Sequence, residues 1–319
     1  MALSEFELIA AYFATSDIAR GGEGVLLGIG DDAAILRPPP GEDLVVSIDT
    51  LVAGVHFPLA MSARDLGHRA LAVNLSDLAA MGARPLWFTL ALTLPAADEA
   101  WLDGFTGGMA ALARQAGIAL IGGDTTRGPL SITVQVHGAV PQGRALRRDG
   151  ARPGDEVWVS GWPGLAALGL KGMLGEAAPE PAALAAFLGP LPRLALGRGL
   201  LDIATAAIDV SDGLLADAAH IAERSGARLE LDAGALPLAA ALLASVARDA
   251  AIRLCLGGGD DYELCFTAPA ARADAIQRLA ATLALPGTRI GRVVEGEGIS
   301  CAGAAPDIAG YRHFADSST

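Results

Sequence analysis

Residues 72–83 read Ala-Val-Asn-Leu-Ser-Asp-Leu-Ala-Ala-Met-Gly-Ala, a largely apolar run that contains Asn74 and Asp77. The run belongs to a longer amphipathic pattern over residues 64–81, in which apolar side chains recur at helical spacing. This pattern predicts a long helix packed against a core. A carboxylate on such a helix costs free energy unless a partner satisfies it, so Asp77 is a candidate functional residue.

Aspartates also recur at the ends of predicted apolar strands, mostly beside glycines. The motifs are Gly28-Ile29-Gly30-Asp31-Asp32, Ser47-Ile48-Asp49-Thr50, Gly122-Gly123-Asp124-Thr125, Ile208-Asp209-Val210-Ser211-Asp212-Gly213 and Gly257-Gly258-Gly259-Asp260-Asp261. A single aspartate beside glycine usually closes a turn or caps a helix, but this many together favour a shared purpose. Carboxylates are hard oxygen ligands that suit Mg²⁺. Several such ions would neutralise a triphosphate and assist in-line phosphoryl transfer.

The 319 residues suit two domains, which we place at residues 1–150 and 151–319. A segment rich in arginine, glycine and proline, residues 143–154, marks the boundary. Predicted strands and helices alternate irregularly in both halves. The expected fold class is therefore α/β or α+β, with a mixed sheet and packed helices in each domain.

The composition excludes several classes of function. A net charge of −13 and a pI near 4.7 argue against a nucleic-acid backbone or an anionic membrane surface as a partner. Lys171 is the only lysine and precedes Gly172, so the chain has no P-loop. Cys255, Cys265 and Cys301 form no C-x-x-C pair, which predicts reduced thiols in a cytoplasmic protein. We expect neither a signal peptide nor a membrane span.

The spacing Gly28-x-Gly30-x-x-Ala33, with Asp49 further on, imitates a dinucleotide-binding fingerprint. That fingerprint needs a helix directly after the glycines, and Pro38-Pro39-Pro40 interrupts the chain before a helix of any length can form. Two aspartates would also direct negative charge at the pyrophosphate. We therefore reject this interpretation.

Taken in order, the motifs resemble those of the thiamine-monophosphate kinase family. This family belongs to an ATP-binding superfamily that includes aminoimidazole ribonucleotide synthetase and selenophosphate synthetase. Short Gly-Asp motifs indicate only the superfamily. The block at residues 72–83, together with Asp261-Tyr262-Glu263-Leu264, indicates the kinase family.

The resemblance implies a two-domain fold like that of aminoimidazole ribonucleotide synthetase. It also implies a homodimer formed through the N-terminal domains, which bind ATP and Mg²⁺, and a C-terminal domain that completes the active site. The implied reaction is phosphorylation of thiamine monophosphate by ATP, giving ADP and thiamine diphosphate by direct transfer. Because the acceptor phosphate is already an anion, no catalytic nucleophile, general base or phosphoenzyme is expected.

Functional residues of the family fall on three groups of positions. The implied metal ligands, for several Mg²⁺ ions, are Asp32, Ser47, Ile48 through its carbonyl, Asp49, Asp77, Asp124, Asp209 and Asp212. The implied ATP contacts are Gly123, Asp124, Arg148 and Ser211, with Arg147 as the competing choice for Arg148. The implied thiamine-phosphate contacts are His56, Asp260 and Tyr311.

Position 260 departs from the family pattern, which usually has glutamate there. The shorter Asp260 side chain leaves open a direct contact, a water-mediated one, or a role in closing the glycine turn before it. Two other functions also remain open for the whole chain: another ATP-using synthetase of the superfamily, and a non-catalytic module that senses nucleotide or Mg²⁺.

Overall fold

A computed structural model describes residues 5–19 and 21–311. The chain forms two compact units. The first contains the described residues of Met1–Leu78 together with Ala83–Ala145, and the second contains Ala79–Gly82 and the described residues of Leu146–Thr319. The division at residues 145 and 146 lies near the sequence-based boundary at residue 150, whereas nothing in the sequence indicated that Ala79–Gly82 would join the second unit.

The first unit begins with a short helix, α1, which continues as a π-helical turn, Ile9–Ala14. Its two long helices of 18 residues each, α2 and α3, alternate with strands. The elements are α1 Glu5–Leu8, β1 Val25–Leu27, β2 Ile35–Leu36, β3 Glu42–Val52, α2 Ala63–Ala80, β4 Arg84–Leu94, α3 Glu99–Ala116, β5 Ala119–Arg127 and β6 Ser131–Pro141.

Within the described residues of this unit, four strands form a mixed sheet in the order β3-β6-β4-β5. Strand β3 is an edge strand and pairs antiparallel with β6 along its whole length, from Glu42 opposite Pro141 to Val52 opposite Ser131. Strand β5 forms the other edge and runs parallel to β4. A separate antiparallel pair joins β1 and β2.

Two sequence-based expectations about these strands were wrong. The aspartates Asp49 and Asp124 lie inside β3 and β5 and not at strand ends, because main-chain pairing with β6 and β4 continues past them. Residues 25–30 and 33–36, whose apolar character predicts short buried strands, contain β1 and β2, but these strands are not buried, since Leu26 and Ile35 are both more than half exposed. A two-stranded ribbon has too few neighbours to cover both of its faces.

The second unit contains the remaining elements. These are β7 Asp155–Ser160, α4 Leu165–Met173, α5 Pro181–Leu188, α6 Leu194–Leu200, β8 Ala206–Asp209, α7 Leu214–Ser225, β9 Arg228–Asp232, α8 Ala240–Ser245, α9 Arg248–Gly257, β10 Leu264–Pro269, α10 Ala273–Thr282, β11 Gly287–Val294 and β12 Gly298–Ala302. In the described part of this unit, six strands form a sheet in the order β12-β9-β11-β7-β10-β8. Apolar clusters centred on Val157, Ile208 and Leu229, and on Phe266 and Leu200, form its core.

No helix among the described residues combines the length and the apolar character needed to cross a membrane.

The helices α2 and α3 approach each other closely at two glycines. A Cβ at Gly67 would lie 2.0 Å from the carbonyl oxygen of Phe105, and a Cβ at Gly108 would lie 1.9 Å from that of Arg64. Such distances leave no room for a side chain, so glycine at both positions sets the separation of the two helices. This separation fixes how closely α2 packs against α3.

We expect Gly108→Ala to lower the free energy of unfolding by about 2 kcal/mol or more, because the new methyl group meets backbone that cannot move aside. The matched control is Gly107→Ala in the same helix, where the new Cβ meets only the flexible end of Arg64 at 3.5 Å. That control should be neutral or stabilise the protein by up to about 1 kcal/mol through helix propensity. Urea denaturation measures both, and equal effects would contradict the close helix approach.

Candidate functional site

Asn74 and Asp77, the polar residues in the apolar run of α2, contact strand β3. The Ser47 hydroxyl donates a hydrogen bond of 2.6 Å to Oδ2 of Asp77, and the Asp49 main-chain N–H donates one of 3.0 Å to Oδ1 of Asn74. The Asn74 amide in turn donates to the Ala70 carbonyl, so its orientation is fixed. The structure thus brings Ser47 and Asp49 of β3 together with Asp77 of α2, although Ser47 and Asp77 are 30 residues apart in sequence.

The carboxylates of Asp49 and Asp77 repel each other in this arrangement. Burial and the neighbouring Asp77 charge, in that order, raise the pKa of Asp49 to about 6 from its ordinary value of 3.8. Groups with such shifts are typical of sites that await an opposite charge. Two carboxylates, the Ser47 hydroxyl and main-chain carbonyls such as that of Ile48 are all hard oxygen donors, so this donor set fits Mg²⁺.

Two other predicted metal ligands of the first unit are positioned separately. Asp32 is exposed in the turn after Gly30, where its N–H is bonded to Oδ1 of Asp31 at 2.8 Å. Asp124 is exposed on β5 opposite Ala91 of β4. Among residues 5–19 and 21–311, no three His, Cys, Asp or Glu side chains form a preassembled metal cluster.

The glycine at 123 lets β5 approach β4 closely. A Cβ there would lie 1.9 Å from the Leu90 carbonyl oxygen. Beside Gly123 and Asp124 lies a small recess of about 50 Å³ whose wall includes Phe13, Ile29 and Leu90. A wall that is mostly apolar suits a planar ring more than a phosphate group.

His56 lies in the loop that follows β3. The ring Nδ1 of His56 accepts a hydrogen bond of 3.0 Å from the Val52 main-chain N–H. The main-chain N–H of His56 donates to the Val52 carbonyl. Because Nδ1 is an acceptor, the neutral ring carries its proton on Nε2.

In the second unit, a single carboxylate organises the loop that carries Ser211 and Asp212. Oδ2 of Asp217 accepts the N–H groups of Ser211, Asp212 and Gly213 at 3.0, 3.0 and 3.1 Å. Asp209, at the end of β8, is buried just before this loop. Burial raises the pKa of Asp217 to about 7, and the three N–H donors oppose that shift.

The loop that carries Asp260 adjoins Ser211 and Asp212. The Asp260 N–H donates to the Ser211 carbonyl at 2.8 Å, and the Tyr311 N–H donates to the Asp212 carbonyl at 3.0 Å. The structure thus brings Ser211, Asp212, Asp260 and Tyr311 into one cluster, although they come from three separate stretches of the chain.

The two competing arginines differ in their surroundings. Arg147 forms an ion pair with Asp149, which raises the pKa of the arginine and lowers that of the aspartate. Arg148 has an exposed side chain, and its carbonyl accepts a hydrogen bond of 2.9 Å from the Ser225 hydroxyl. Since Arg147 is already paired, Arg148 is the better candidate for an external phosphate.

Sequence reasoning missed Asn74 and Asp217 as positioning residues. Asp217 carried a signal, because an acidic residue in the first turn of a helix that follows Ser-Asp-Gly can accept the N–H groups of that turn. The contact of Asn74 with β3 joins elements that are distant in sequence, and no local pattern indicates it.

Comparison with known proteins places this chain among related enzymes. Residues 30–140 match the family model for the AIR synthase related protein, N-terminal domain, and residues 152–303 match the model for its C-terminal domain. The thiamine-monophosphate kinase of Salmonella typhimurium is 47% identical, and that of Escherichia coli K12 is 45% identical. Each match covers 99% of both chains.

Solved structures agree with these matches. The thiamine-monophosphate kinase of Stenotrophomonas maltophilia K279a is 52% identical with a TM-score of 0.87, covering 96% of this chain and 98% of that one. AaThiL complexed with AMPPCP and TMP is 34% identical with a TM-score of 0.78, covering 90% and 92%. The hydrogenase maturation protein HypE of E. coli, at 22% identity and a TM-score of 0.78 over 96% and 95%, shares the fold.

We expect Asp49→Asn to stabilise the metal-free protein at pH 7.5. The pKa of about 6 in the folded state exceeds the ordinary 3.8, so stability is lost as pH rises through this window and the loss is complete above it. Allowing for partial solvent screening, the gain should be about 1–2 kcal/mol at pH 7.5 and smaller at pH 5. Urea denaturation in EDTA measures it.

The exposed Asp103→Asn on α3 serves as the control and should show no such pH-dependent gain. A loss of stability in Asp49→Asn at pH 7.5 would show that the two carboxylates do not repel each other.

Proposed function

Because this chain belongs to the thiamine-monophosphate kinase family, we propose that it transfers the γ-phosphoryl group of ATP to the phosphate of thiamine monophosphate, giving ADP and thiamine diphosphate. The observation that carries the proposal is the similarity, over nine-tenths of the chain, to AaThiL, a structure complexed with AMPPCP and TMP. The contacts among Ser47, Asp49, Asn74 and Asp77 support it, since they hold two acidic motif residues of the first unit, Asp49 and Asp77, in one place.

The transfer is direct and in line. The acceptor is a phosphate that is already anionic near neutral pH, so no residue has to remove a proton from it. The side chains of this site hold and orient the two substrates, and none of them forms a covalent intermediate. Bound Mg²⁺ would supply the positive charge that phosphoryl transfer between two anions requires.

In this proposal the first unit supplies the metal ligands Asp32, Ser47, Asp49, Asp77 and Asp124, and also the Ile48 carbonyl. The acidic residues of the second unit, Asp209 and Asp212, serve in the same way. Gly123, Arg148 and Ser211 contact ATP. The main-chain N–H of Ser211 is already held by Asp217, which leaves its hydroxyl for a phosphate oxygen.

The thiamine-phosphate contacts in this proposal are His56, Asp260 and Tyr311. The His56 ring can donate an N–H to the substrate phosphate, since its Nδ1 is occupied by Val52. The Asp260 carboxylate suits the fixed positive charge of the thiazolium ring. Tyr311 is about half exposed and can stack on an aromatic ring of the substrate.

We also propose that the protein is a homodimer that pairs through the edge strand β3. The outward side chains Leu44, Val46 and Ile48 are 43%, 53% and 58% exposed. An edge strand of 11 residues with an apolar face is a template for pairing with a second chain, and monomeric proteins usually protect such an edge.

The free thiols Cys255, Cys265 and Cys301 suit a reducing compartment, so we place the reaction in the cytoplasm. Burial raises the pKa of the Cys265 thiol to about 12, so this thiol is not a nucleophile near neutral pH.

We expect ADP release from ATP and Mg²⁺ that depends on thiamine monophosphate, with little release when unphosphorylated thiamine replaces it. A coupled assay for ADP, with thiamine diphosphate identified by chromatography, measures the reaction. Asp77→Asn should lower the rate about 10³-fold or more, because it removes charge that balances the metal ions. Asp103→Asn should retain the wild-type rate.

Better activity on thiamine than on its monophosphate would overturn the proposed acceptor. ADP release with a different acceptor, and none with thiamine monophosphate, would identify another ATP-using synthetase. Nucleotide binding without turnover would identify a sensing module.

We expect Val46→Lys to convert the dimer into a monomer, because it places a charge in the apolar face of β3. The control is Leu174→Lys, which alters an apolar residue of the second unit that is also 53% exposed. Light scattering after gel filtration gives the mass of each. A dimer that survives Val46→Lys would place the subunit interface elsewhere.

A further inference from the structure

The loop between α9 and β10 has an unusual backbone at three positions. Gly259, Asp260 and Tyr262 have φ values of +70°, +62° and +51°. Glycine adopts this left-handed region readily, but aspartate and especially tyrosine do so rarely. Such a conformation persists only where the surroundings hold it, and it is concentrated at functional sites.

The surroundings of this loop do hold it on both sides. The N–H groups of Asp260 and Tyr262 donate to the Ser211 and Val210 carbonyls, each at 2.8 Å. Oδ1 and Oδ2 of Asp261 each accept the Gly164 N–H at 2.9 Å, next to the start of α4. The backbone of residues 260–262 is therefore fixed before any ligand binds.

Within this fixed loop, the two left-handed side chains contact each other. The Tyr262 hydroxyl donates a hydrogen bond of 3.2 Å to Oδ1 of Asp260. The Tyr262 side chain is only 8% exposed, so its hydroxyl has a restricted position. A hydroxyl donor to one carboxylate oxygen limits rotation of the carboxylate, so that the direction of Oδ2 is defined.

We propose that Tyr262 is a positioning residue that orients the Asp260 carboxylate toward the cationic ring of thiamine monophosphate. The proposal rests on the proposed function, in which Asp260 contacts that substrate. A short aspartate side chain has two rotatable bonds, and the tyrosine hydroxyl restrains the second of them. The effect is on affinity for the thiamine moiety and not on the transfer step, because Asp260 does not contact the reacting phosphates in this assignment.

The test is a double-mutant cycle on Tyr262→Phe and Asp260→Ala, with steady-state kinetics for each substrate. We expect Tyr262→Phe to raise the KM for thiamine monophosphate about 3- to 10-fold, and to leave the KM for ATP and the kcat unchanged. Asp260→Ala should raise the same KM by more. The double variant should behave like Asp260→Ala alone, because the hydroxyl acts through that carboxylate.

The control is Ser160→Ala. The Ser160 hydroxyl donates a hydrogen bond to Glu263, the next residue after Tyr262, and it accepts the Leu264 N–H. Its loss should lower the melting temperature and leave the KM for thiamine monophosphate unchanged. If Ser160→Ala raised that KM as much as Tyr262→Phe does, the effect would reflect general loosening of the loop, and the proposal would be overturned.

Other outcomes separate this inference from the proposed function. No ADP release from the wild-type enzyme with thiamine monophosphate would overturn the function itself. Wild-type activity with a normal KM in Tyr262→Phe would overturn only the role of Tyr262. Additive effects in the double variant would do the same, because they would show that the hydroxyl acts independently of Asp260.

Discussion

The hydrogen bond from Ser47 to Asp77 joins β3, the edge strand of the first sheet, to helix α2. The positions of the acidic residues Asp49 and Asp77 in the first unit depend on this contact. Helix α2 is buried from Ala70 to Ser76, so its polar residues have few ways to be satisfied. Asn74 and Asp77 find their partners on β3, one through a main-chain N–H and one through a hydroxyl. The glycines Gly67 and Gly108 set the depth of the helix against α3. The position of the Asp77 carboxylate is therefore a consequence of how tightly two helices pack.

In the second unit, loops and not a helix and a strand provide the hydrogen-bond partners of the polar groups in the candidate site. Asp217 gathers three N–H groups, and the Ser211 and Asp212 carbonyls receive N–H groups from Asp260 and Tyr311. The main-chain N–H groups and carbonyls of the loop at residues 211–213 are therefore hydrogen-bonded within the protein. A loop that is satisfied in this way does not need to reorganise when a ligand arrives, and pre-organised groups bind charge more strongly than mobile ones.

Much of the architecture could be predicted from local patterns. The helical spacing over residues 64–81 matches α2, Ala63–Ala80. Strand ends were less predictable, because β3 and β5 continue through Asp49 and Asp124 where polar residues suggested a stop. Pairing with a neighbouring strand overrides local composition. For the same reason, the contact of Asn74 with β3 could not be predicted, since it is set by which elements meet in the fold.

The remaining question is how a chain with a net charge of −13 can bind two anionic substrates. Several of its cationic side chains are already paired: Lys171 with Glu176, Arg147 with Asp149, and Arg193 with the buried Glu263. Arg84 bridges Glu23 and Glu42. Paired cations contribute little to an incoming phosphate, because their charge is already balanced. The acidic residues near Asp77 add negative charge where anionic substrates would need positive charge. This arrangement favours substrate binding only when divalent cations lie between the carboxylates and the substrate phosphates. The raised pKa of Asp49 is expected of such a site. Without a bound cation, the ionised form of a buried carboxylate beside another carboxylate destabilises the folded protein.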